Sequence, residues 1–246
     1  MDPFSFPPLA AVLDAAYGAL LWVAATIEPI AGAGSAAAAI ALVTLLVRAA
    51  LLPTGIAQAK SDQTRARLAP RLRDLQRRHR NDPERLQRET MRLYADENAS
   101  PFGGCVPMLV QAPIVGILYA VFLHPLIGGR ANELLTAELA GVPLGASLIG
   151  TLSSGTLDAA TGGLFAGIAL AIVVIAEISR RAFPPPDALI ADRPGTARLA
   201  SLLPFTAVVG AMLVPLAAAL YLVVTVTWTL AQRLVLRRTH PIPREG

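Results

Sequence analysis

The sequence has few of the residues that build catalytic or metal sites. It contains one cysteine, Cys105, so an internal disulfide is excluded, and a lone thiol lacks the partners of a zinc site. Its three histidines, His79, His124 and His240, are scattered, and no close set of His, Asp, Glu and Cys occurs within the apolar runs. We therefore expect a protein that is not an enzyme and that holds no metal and no cofactor.

Charged and aromatic residues are also scarce, at 15% and 5% of the chain, whereas 54% of the 246 residues are hydrophobic. The mean hydropathy of +0.55 is too high for a soluble domain of this size, so we expect an all-α polytopic membrane protein. The N-terminus, MDPFSFPP, lacks the basic region of a cleavable signal, and we expect it to remain in the mature protein.

The apolar residues form five runs, residues 9–27, 36–57, 101–127, 163–182 and 199–236. A helix needs roughly 20 residues to cross the hydrocarbon core, so the last run is too long for one crossing. Pro215 can end a helix, which predicts two spans with a tight external turn near residues 212–216.

The distribution of Lys and Arg predicts the topology, because these residues concentrate in cytoplasmic loops. They lie mainly in residues 58–100, 183–198 and 237–246. Residues 1–35 have none, and residues 128–162 have only Arg130. If residues 199–236 cross the membrane twice, the basic segments all lie on the same side of the membrane, which is then the cytoplasmic side. We therefore predict five core spans, with an external N-terminus, an external loop 128–162 and a cytoplasmic C-terminus.

Residues 9–27 allow two interpretations. One face of a helix would carry apolar residues, namely Leu9, Val12, Leu13, Ala16, Leu20 and Leu21. Asp14 and Gly18 would lie on the other face, and Tyr17 and Trp22 suit the depth of the interface, which favours an amphipathic helix on the outer surface. The alternative is a sixth spanning helix.

Residues 58–100 are polar and basic, with 11 Lys and Arg against 7 Asp and Glu, a net charge of +4. Leu68, Leu72 and Leu75 mark a helical stripe, and Asp82 with Pro83 reads as the start of a second helix, which together predict a helical hairpin in the cytoplasm. It is either a solvated loop that fixes topology or a docking arm for acidic partners: ribosomal surface, anionic lipid or acidic nascent chains. The candidate docking residues are Arg71, Arg73, Arg77, Arg78, Arg80 and Arg85.

Arg48 stands in the apolar stretch TLLVRAALLP, about 18 Å along the helix from Ala36 at 1.5 Å per residue. An arginine at the centre of a spanning helix costs about 2.5–3.5 kcal/mol on insertion scales. The side chain could extend towards the cytoplasm. At this depth we favour contact with a water-filled cavity.

Three features of the sequence, and the order in which they occur, resemble those of the YidC-type membrane protein insertases, which are relatives of the Oxa and Alb insertases. They are LVRAALLP, the basic hairpin, and SPFGGCVPMLVQAPIVGILYAVF, whose residues Ser100 to Pro113 carry the most specific pattern. The resemblance covers about residues 9–238. It implies a five-helix transmembrane core with an outer amphipathic helix and a cytoplasmic helical hairpin, in the bacterial inner membrane.

The resemblance also implies a hydrophilic groove in the inner leaflet, through which short polar tails of nascent membrane proteins pass while their apolar segments enter lipid. Its candidate lining residues are Arg48, Gln111, Thr44, Gln58, Tyr221 and Trp228. The implied partners are nascent membrane proteins, membrane lipids, the ribosome and the Sec translocon, with the chain acting as a monomer. The pattern departs from the family at Leu222, where tryptophan is common. A small transporter or channel with Arg48 as an anion site is the alternative, although we find no internal repeat.

Overall fold

The structure is a computed structural model that describes residues 6–97, 99, 106–183, 202 and 205–239. Within these ranges the chain is mostly helical. The helices are α1 (Pro7–Ala31), α2 (Ser35–Ala50), α3 (Leu52–Arg78), α4 (Pro83–Asp96), α5 (Val106–Leu123), α6 (Glu133–Thr136), α7 (Leu148–Ser153), α8 (Ala159–Ala182), α9 (Thr206–Leu213) and α10 (Leu216–Thr239). Four two-residue strands lie between α5 and α7, namely β1 (Leu126–Ile127), β2 (Arg130–Ala131), β3 (Glu138–Leu139) and β4 (Val142–Pro143).

Three stretches of the described chain are long and apolar enough to cross a membrane. They are Pro7–Ala50, Ala159–Ala182 and Leu216–Leu236, and residues Ala112–Leu123 form a shorter apolar helix. The chain is therefore a helical protein with several membrane-length segments. The five-span core predicted from the sequence is a finer statement, and it remains a prediction.

The first long stretch consists of two helices that turn at a glycine pair. Gly32 has a φ of 54°, a left-handed conformation that favours glycine, and a 3₁₀ turn over Gly32–Gly34 leads into α2. Helix α1 packs against α2 and α5 through a face that buries Leu13, Tyr17, Leu20 and Ala24. Its position on or across the membrane stays a prediction.

The predicted first span, residues 36–57, is divided between α2 and α3. The break lies at Leu51 and follows from Pro53, which has no N–H to donate and crowds the preceding turn. The next amide, of Thr54, bonds the carbonyl of Leu51 at 3.1 Å, three residues back, before the four-residue pattern resumes at Gly55. Helix α3 therefore leaves α2 at a kink and runs on for 27 residues into the polar segment.

The core lies where α2, α5, α8 and α10 meet. Small residues allow α2 and α10 to pack closely: Ala36, Ala37 and Ala39 are buried on α2, and Ala217 to Ala219 are buried on α10. Phe122 of α5 contacts Tyr221 of α10, with ring centroids 6.3 Å apart. Phe165 and Ile172 bring the apolar face of α8 into the same cluster.

The segment between α5 and α8, residues 124–158, is folded and is called here the connecting segment. Its centre is Asn132, which is 2% exposed and donates to the carbonyl of Val121 at 2.6 Å and to that of His124 at 3.0 Å. These bonds satisfy carbonyls at the end of α5 that no helical N–H can reach. The backbone amides of Leu216 and Ala217 donate to Ala146 and Leu144, so the segment also holds the start of α10.

The connecting segment ends at Asp158, the N-cap of α8. Its carboxylate accepts a hydrogen bond from the amide of Thr161 at 2.9 Å. Hydrogen bonds from the side chain and the backbone of Thr161 hold the pKa of Asp158 below its usual value.

Helices α3 and α4 fold back on one another, and together with their turn they are called the hairpin, residues 52–97. The predicted N-cap is confirmed, because Asp82 accepts a hydrogen bond from the amide of Arg85 at 3.0 Å and Pro83 opens α4. Leu68 and Ala69 of α3 and Tyr94 of α4 are buried, and the two helices contact each other. The cytoplasmic position of the hairpin remains a prediction.

Candidate functional site

A small cavity of about 10 Å³, enough for one water molecule, lies between three helices. Four lining residues come from the end of α2 and its kink, three from α5, and one from α10. They are Thr44, Val47, Arg48, Leu51, Ile114, Val115, Leu118 and Tyr221. Most of this wall is apolar, and the polar side chains are those of Thr44, Arg48 and Tyr221.

Arg48 lies in the last turn of α2, one turn before the kink at Leu51. A helix C-terminus carries a partial negative charge, which favours a cation there. The side chain is half-buried. Because Pro53 ends α2 early, the arginine sits at a helix end beside a cavity and not in the middle of an unbroken span.

Thr44 and Tyr221 are buried within the bundle, at 2% and 4% exposure. The hydroxyl of Thr44 donates to the carbonyl of Ile40 at 2.6 Å, which leaves its oxygen lone pairs as acceptors. Tyr221 is held by the ring of Phe122. The structure therefore brings together three of the six residues predicted for the groove, with a cation, a hydroxyl and a phenol around one cavity.

Two of the other predicted groove residues, Gln58 and Trp228, are not among the described residues that line this cavity. Gln58 is half-buried on α3, beyond the kink. Trp228 lies two turns after Tyr221 on α10, and its indole N–H donates to the side-chain oxygen of Gln232 at 3.1 Å. Gln111 belongs to α5, and its side chain lies outside the described residues, as do Cys105 and its neighbours in the Ser100 to Gly104 motif.

Sequence reasoning missed a contact between Gly55 of α3 and Gln232 of α10. A Cβ added at Gly55 would overlap with the side-chain amide nitrogen of Gln232, so the glycine leaves room for this side chain in its present position. The signal in the sequence is a glycine two residues after Pro53, within a helix where alanine would be more stable. This contact joins the hairpin to the same helix that carries Tyr221.

The arginines predicted for docking do not form one exposed set. Arg71 donates to Glu97 at 2.6 Å, and Arg67, which was not among them, donates to the same carboxylate at 2.7 Å. Arg73 is half-buried, and its Nε has no hydrogen-bond partner among the described residues. Arg71 is exposed although it is paired, and the other exposed members are Arg77, Arg78, Arg80 and Arg85, grouped around the turn of the hairpin.

The described chain is thus a bundle of apolar helices with one arginine beside an internal cavity and a basic helical hairpin, which is the architecture of a membrane protein. The family described as "60Kd inner membrane protein" matches residues 27–243, nearly the whole chain. The chain belongs to that family, as the resemblance to YidC-type insertases had indicated.

Relatives named "Membrane protein insertase YidC" share parts of the sequence. The protein of Clostridium perfringens is 46% identical over 81 residues, which are 33% of this chain and 34% of the relative. That of Clostridium tetani is 43% identical over 84 residues, 34% of this chain and 38% of the relative. That of Burkholderia multivorans is 40% identical over 85 residues, 35% of this chain and 15% of the relative. The matched part thus spans well under half of each relative.

Proposed function

We propose that this protein is a membrane protein insertase that moves short polar tails of nascent membrane proteins past Arg48 and releases their apolar segments into lipid. The observation that carries the proposal is the cavity in which Arg48 meets Thr44 and Tyr221 at the junction of α2, α5 and α10. Family membership and the names of the relatives support it.

The proposed mechanism includes no covalent step; it depends on the charge of Arg48 and on polar groups that replace water around the substrate. A polar tail that crosses hydrocarbon loses its hydrogen bonds to water, which costs several kcal/mol per unsatisfied group. A cavity with a cation and two hydroxyls offers replacement partners over part of that distance. Arg48 attracts acidic side chains of the tail, while the apolar wall formed by Val47, Ile114 and Leu118 adds no polar bonds that would retain it.

The proposal includes an orientation and a set of partners. The N-terminus and the connecting segment face the outside, and the hairpin and the C-terminus face the cytoplasm, as the distribution of Lys and Arg predicts. Nascent chains and lipids are the primary partners. The exposed arginines at the hairpin turn make it a docking arm for the ribosome, anionic lipid or the Sec translocon, and the chain functions as a monomer.

The proposal is tested by complementation. A host is depleted of its own insertase and supplied with this chain, and the insertion of a small single-spanning protein with an acidic external tail is followed by protease protection of that tail. Wild-type protein should restore insertion. Failure of well-expressed wild type to restore insertion of any such substrate would refute the insertase function.

Substitutions at Arg48 then test the cavity. Arg48→Glu should abolish insertion of the acidic tail and Arg48→Ala should reduce it at least tenfold, whereas Arg48→Lys should retain much of the activity if charge is what matters. Arg130→Ala, which removes an exposed arginine of the connecting segment, is the matched control and should behave as wild type. Equal activity of all four variants would show that the charge at residue 48 is dispensable.

A further inference from the structure

The part of the connecting segment that leads into α8, residues 147–157, exposes apolar side chains. Ile149 and Leu152 are 48% and 63% exposed, and their spacing of three residues puts them on one face of α7. Leu157, just before the N-cap of α8, is 41% exposed. Residues 139–157 contain no Asp, Glu, Lys or Arg. A stretch that the sequence assigns to an external loop therefore presents an apolar surface to its surroundings.

The same residues satisfy the polar groups of their own side chains. The hydroxyls of Thr151, Ser153 and Ser154 donate to backbone carbonyls three or four residues earlier, at 2.9 to 3.2 Å. The hydroxyl of Ser147 caps the start of α7 by accepting a backbone amide hydrogen at 3.1 Å, and that of Thr156 lies 2.8 Å from the hydroxyl of Ser154. Every hydroxyl of residues 147–157 thus has a partner within the segment, and none depends on water.

The C-terminal end of α7 is closed in the same way. Gly155 has a φ of 68°, and its amide donates to the carbonyl of Leu152 at 3.3 Å. The amide of Thr156 donates to the carbonyl of Thr151 at 3.0 Å, which completes the hydrogen-bond pattern of a Schellman motif. Carbonyls that a helix end otherwise leaves to water are therefore paired, as they must be in a nonpolar environment.

The length of α8 indicates where this surface lies relative to the membrane. Arg180 and Arg181, in its last turn, are exposed and favour one aqueous boundary. The hydrocarbon core takes about 20 helical residues, so the other boundary falls near Ala160, only a few residues after Leu157. Helix α7 contacts both α8 and α9. It therefore lies at the level at which α8 enters the hydrocarbon.

A protein partner fits this surface less well than lipid does. Protein interfaces surround their apolar centre with a polar rim that forms hydrogen bonds across the contact. Residues 147–157 have no charged side chain, and their hydroxyls are already engaged with one another and with their own backbone. Hydrocarbon requires neither charges nor free hydrogen-bonding groups.

We propose that α7 is a lipid-binding surface. Ile149, Leu152 and Leu157 insert among the acyl chains at the membrane boundary, in the external leaflet for the orientation proposed above. Leu148, which packs against the bundle core, holds the helix in this position. The ligand is the acyl-chain region of the bilayer and not a particular headgroup. This contact goes beyond the insertase function and does not depend on it.

The first test measures what each side chain faces. In the full chain carrying Cys105→Ser, nitroxide labels are attached to Ile149→Cys or Leu152→Cys, and the protein is reconstituted in phospholipid vesicles. Collision of the label with oxygen, which concentrates in hydrocarbon, is compared with collision with a water-soluble nickel chelate. Glu138→Cys, exposed on β3 of the same segment, is the control for water, and Leu170→Cys, exposed on α8, is the control for lipid.

The ratio of oxygen to nickel collisions at residues 149 and 152 should be several times that at residue 138 and below that at residue 170. A ratio equal to that at residue 138 would show that α7 faces water. Protection from both reagents would show that a second copy or another protein covers the surface. Either result would overturn the proposal.

The second test measures depth with a different probe. In a Trp22→Phe, Trp228→Phe background, Leu152→Trp and Leu170→Trp are each placed in vesicles whose lipids carry bromine near the headgroup end or near the methyl end of the acyl chains. Leu170 lies about 16 Å further along α8 than Ala159. Tryptophan at residue 152 should be quenched more strongly by the shallow bromine, and tryptophan at residue 170 by the deep one. Absence of quenching at residue 152, or the same depth at both positions, would overturn the placement of α7 at the boundary.

Both tests are independent of insertion. If wild type fails to insert any substrate, the insertase function fails while the lipid contact of α7 stands on its own measurements. If wild type inserts and residue 152 faces water, only the lipid contact fails.

Discussion

The connecting segment and the hairpin are built in opposite ways. The connecting segment covers the ends of α5 and α10 with buried hydrogen bonds from Asn132 and from its own backbone, and it holds α1 through the hydroxyl of Tyr17. Among its described side chains the hairpin buries few, including Leu68 and Tyr94, and its ion pairs to Glu97 are exposed. It joins the bundle through α3, which contacts α5 and α10 and includes the contact between Gly55 and Gln232.

The difference predicts which of the two regions unfolds locally at the lower free energy. Segments with few buried apolar contacts and exposed hydrogen bonds open at a lower free energy than segments tied into the core. The connecting segment should therefore open only with the whole bundle, whereas the hairpin should move on its own. The proposed insertase function requires this asymmetry, with the external side closed and the cytoplasmic side accessible.

The largest effect should come from Asn132→Ala. The substitution leaves two carbonyls at the end of α5 and the amide of Leu134 without their partner, and each unsatisfied buried group costs about 1–3 kcal/mol. We expect a loss of stability of about 3 kcal/mol, measured as a lower unfolding temperature in detergent. Asn81→Ala, at the exposed turn of the hairpin, is the matched control and should change stability by less than about 0.5 kcal/mol. A similar small shift for both variants would contradict the contrast between the two regions.

A smaller effect should come from Tyr17→Phe. The hydroxyl of Tyr17 accepts a hydrogen bond from the amide of Glu133 at 2.9 Å and lies 3.4 Å from the carbonyl of Ala131. Its loss should cost about 1 kcal/mol, equivalent to roughly fivefold faster hydrogen exchange at the amide of Glu133. Exchange within α4 should not change and serves as the internal control. Unaltered exchange at Glu133 would show that α1 is held to the connecting segment by apolar packing alone.

Local patterns in the sequence predicted the features that depend on neighbouring residues. The helical class, the family and the cap formed by Asp82 and Pro83 were available from composition, motif and spacing. The fold of the connecting segment was not, because it depends on Asn132 reaching back to Val121 and on Tyr17 bonding a residue more than a hundred positions away. Hydrophobic periodicity contains no information about such contacts.

The candidate site shows the same limit. Arg48, Thr44 and Tyr221 could be named from the sequence, and the structure brings them to one cavity. Gly55 and Gln232 could not, since their contact follows from the kink at Pro53 and from the register of α10. Trp228 lies two turns beyond Tyr221 and donates to Gln232, and its place in the groove stays a prediction.

The contact at Gly55 can be broken in isolation. Gly55→Leu should displace the side chain of Gln232, remove its hydrogen bond to Trp228 and weaken the attachment of the hairpin, at a cost of about 1 kcal/mol. In a Trp22→Phe background the emission of Trp228 reports the change directly. The second substitution Gln232→Ala should relieve the overlap, so the double variant should be more stable than the sum of the single effects. Strict additivity would show that the two residues do not constrain each other.

The smallest effect should come from Glu97→Gln, which removes the shared partner of Arg67 and Arg71. Exposed ion pairs contribute about 0–1 kcal/mol and are screened by salt. We therefore expect α4 to exchange its amide hydrogens at most about fivefold faster at low ionic strength, with the difference from wild type vanishing near 1 M salt. Glu84→Gln, at the start of α4, is the matched control because it also removes one exposed carboxylate from the same helix. A large, salt-independent effect of Glu97→Gln would mean that the hairpin is held as firmly as the connecting segment, and the free movement inferred for it would be wrong.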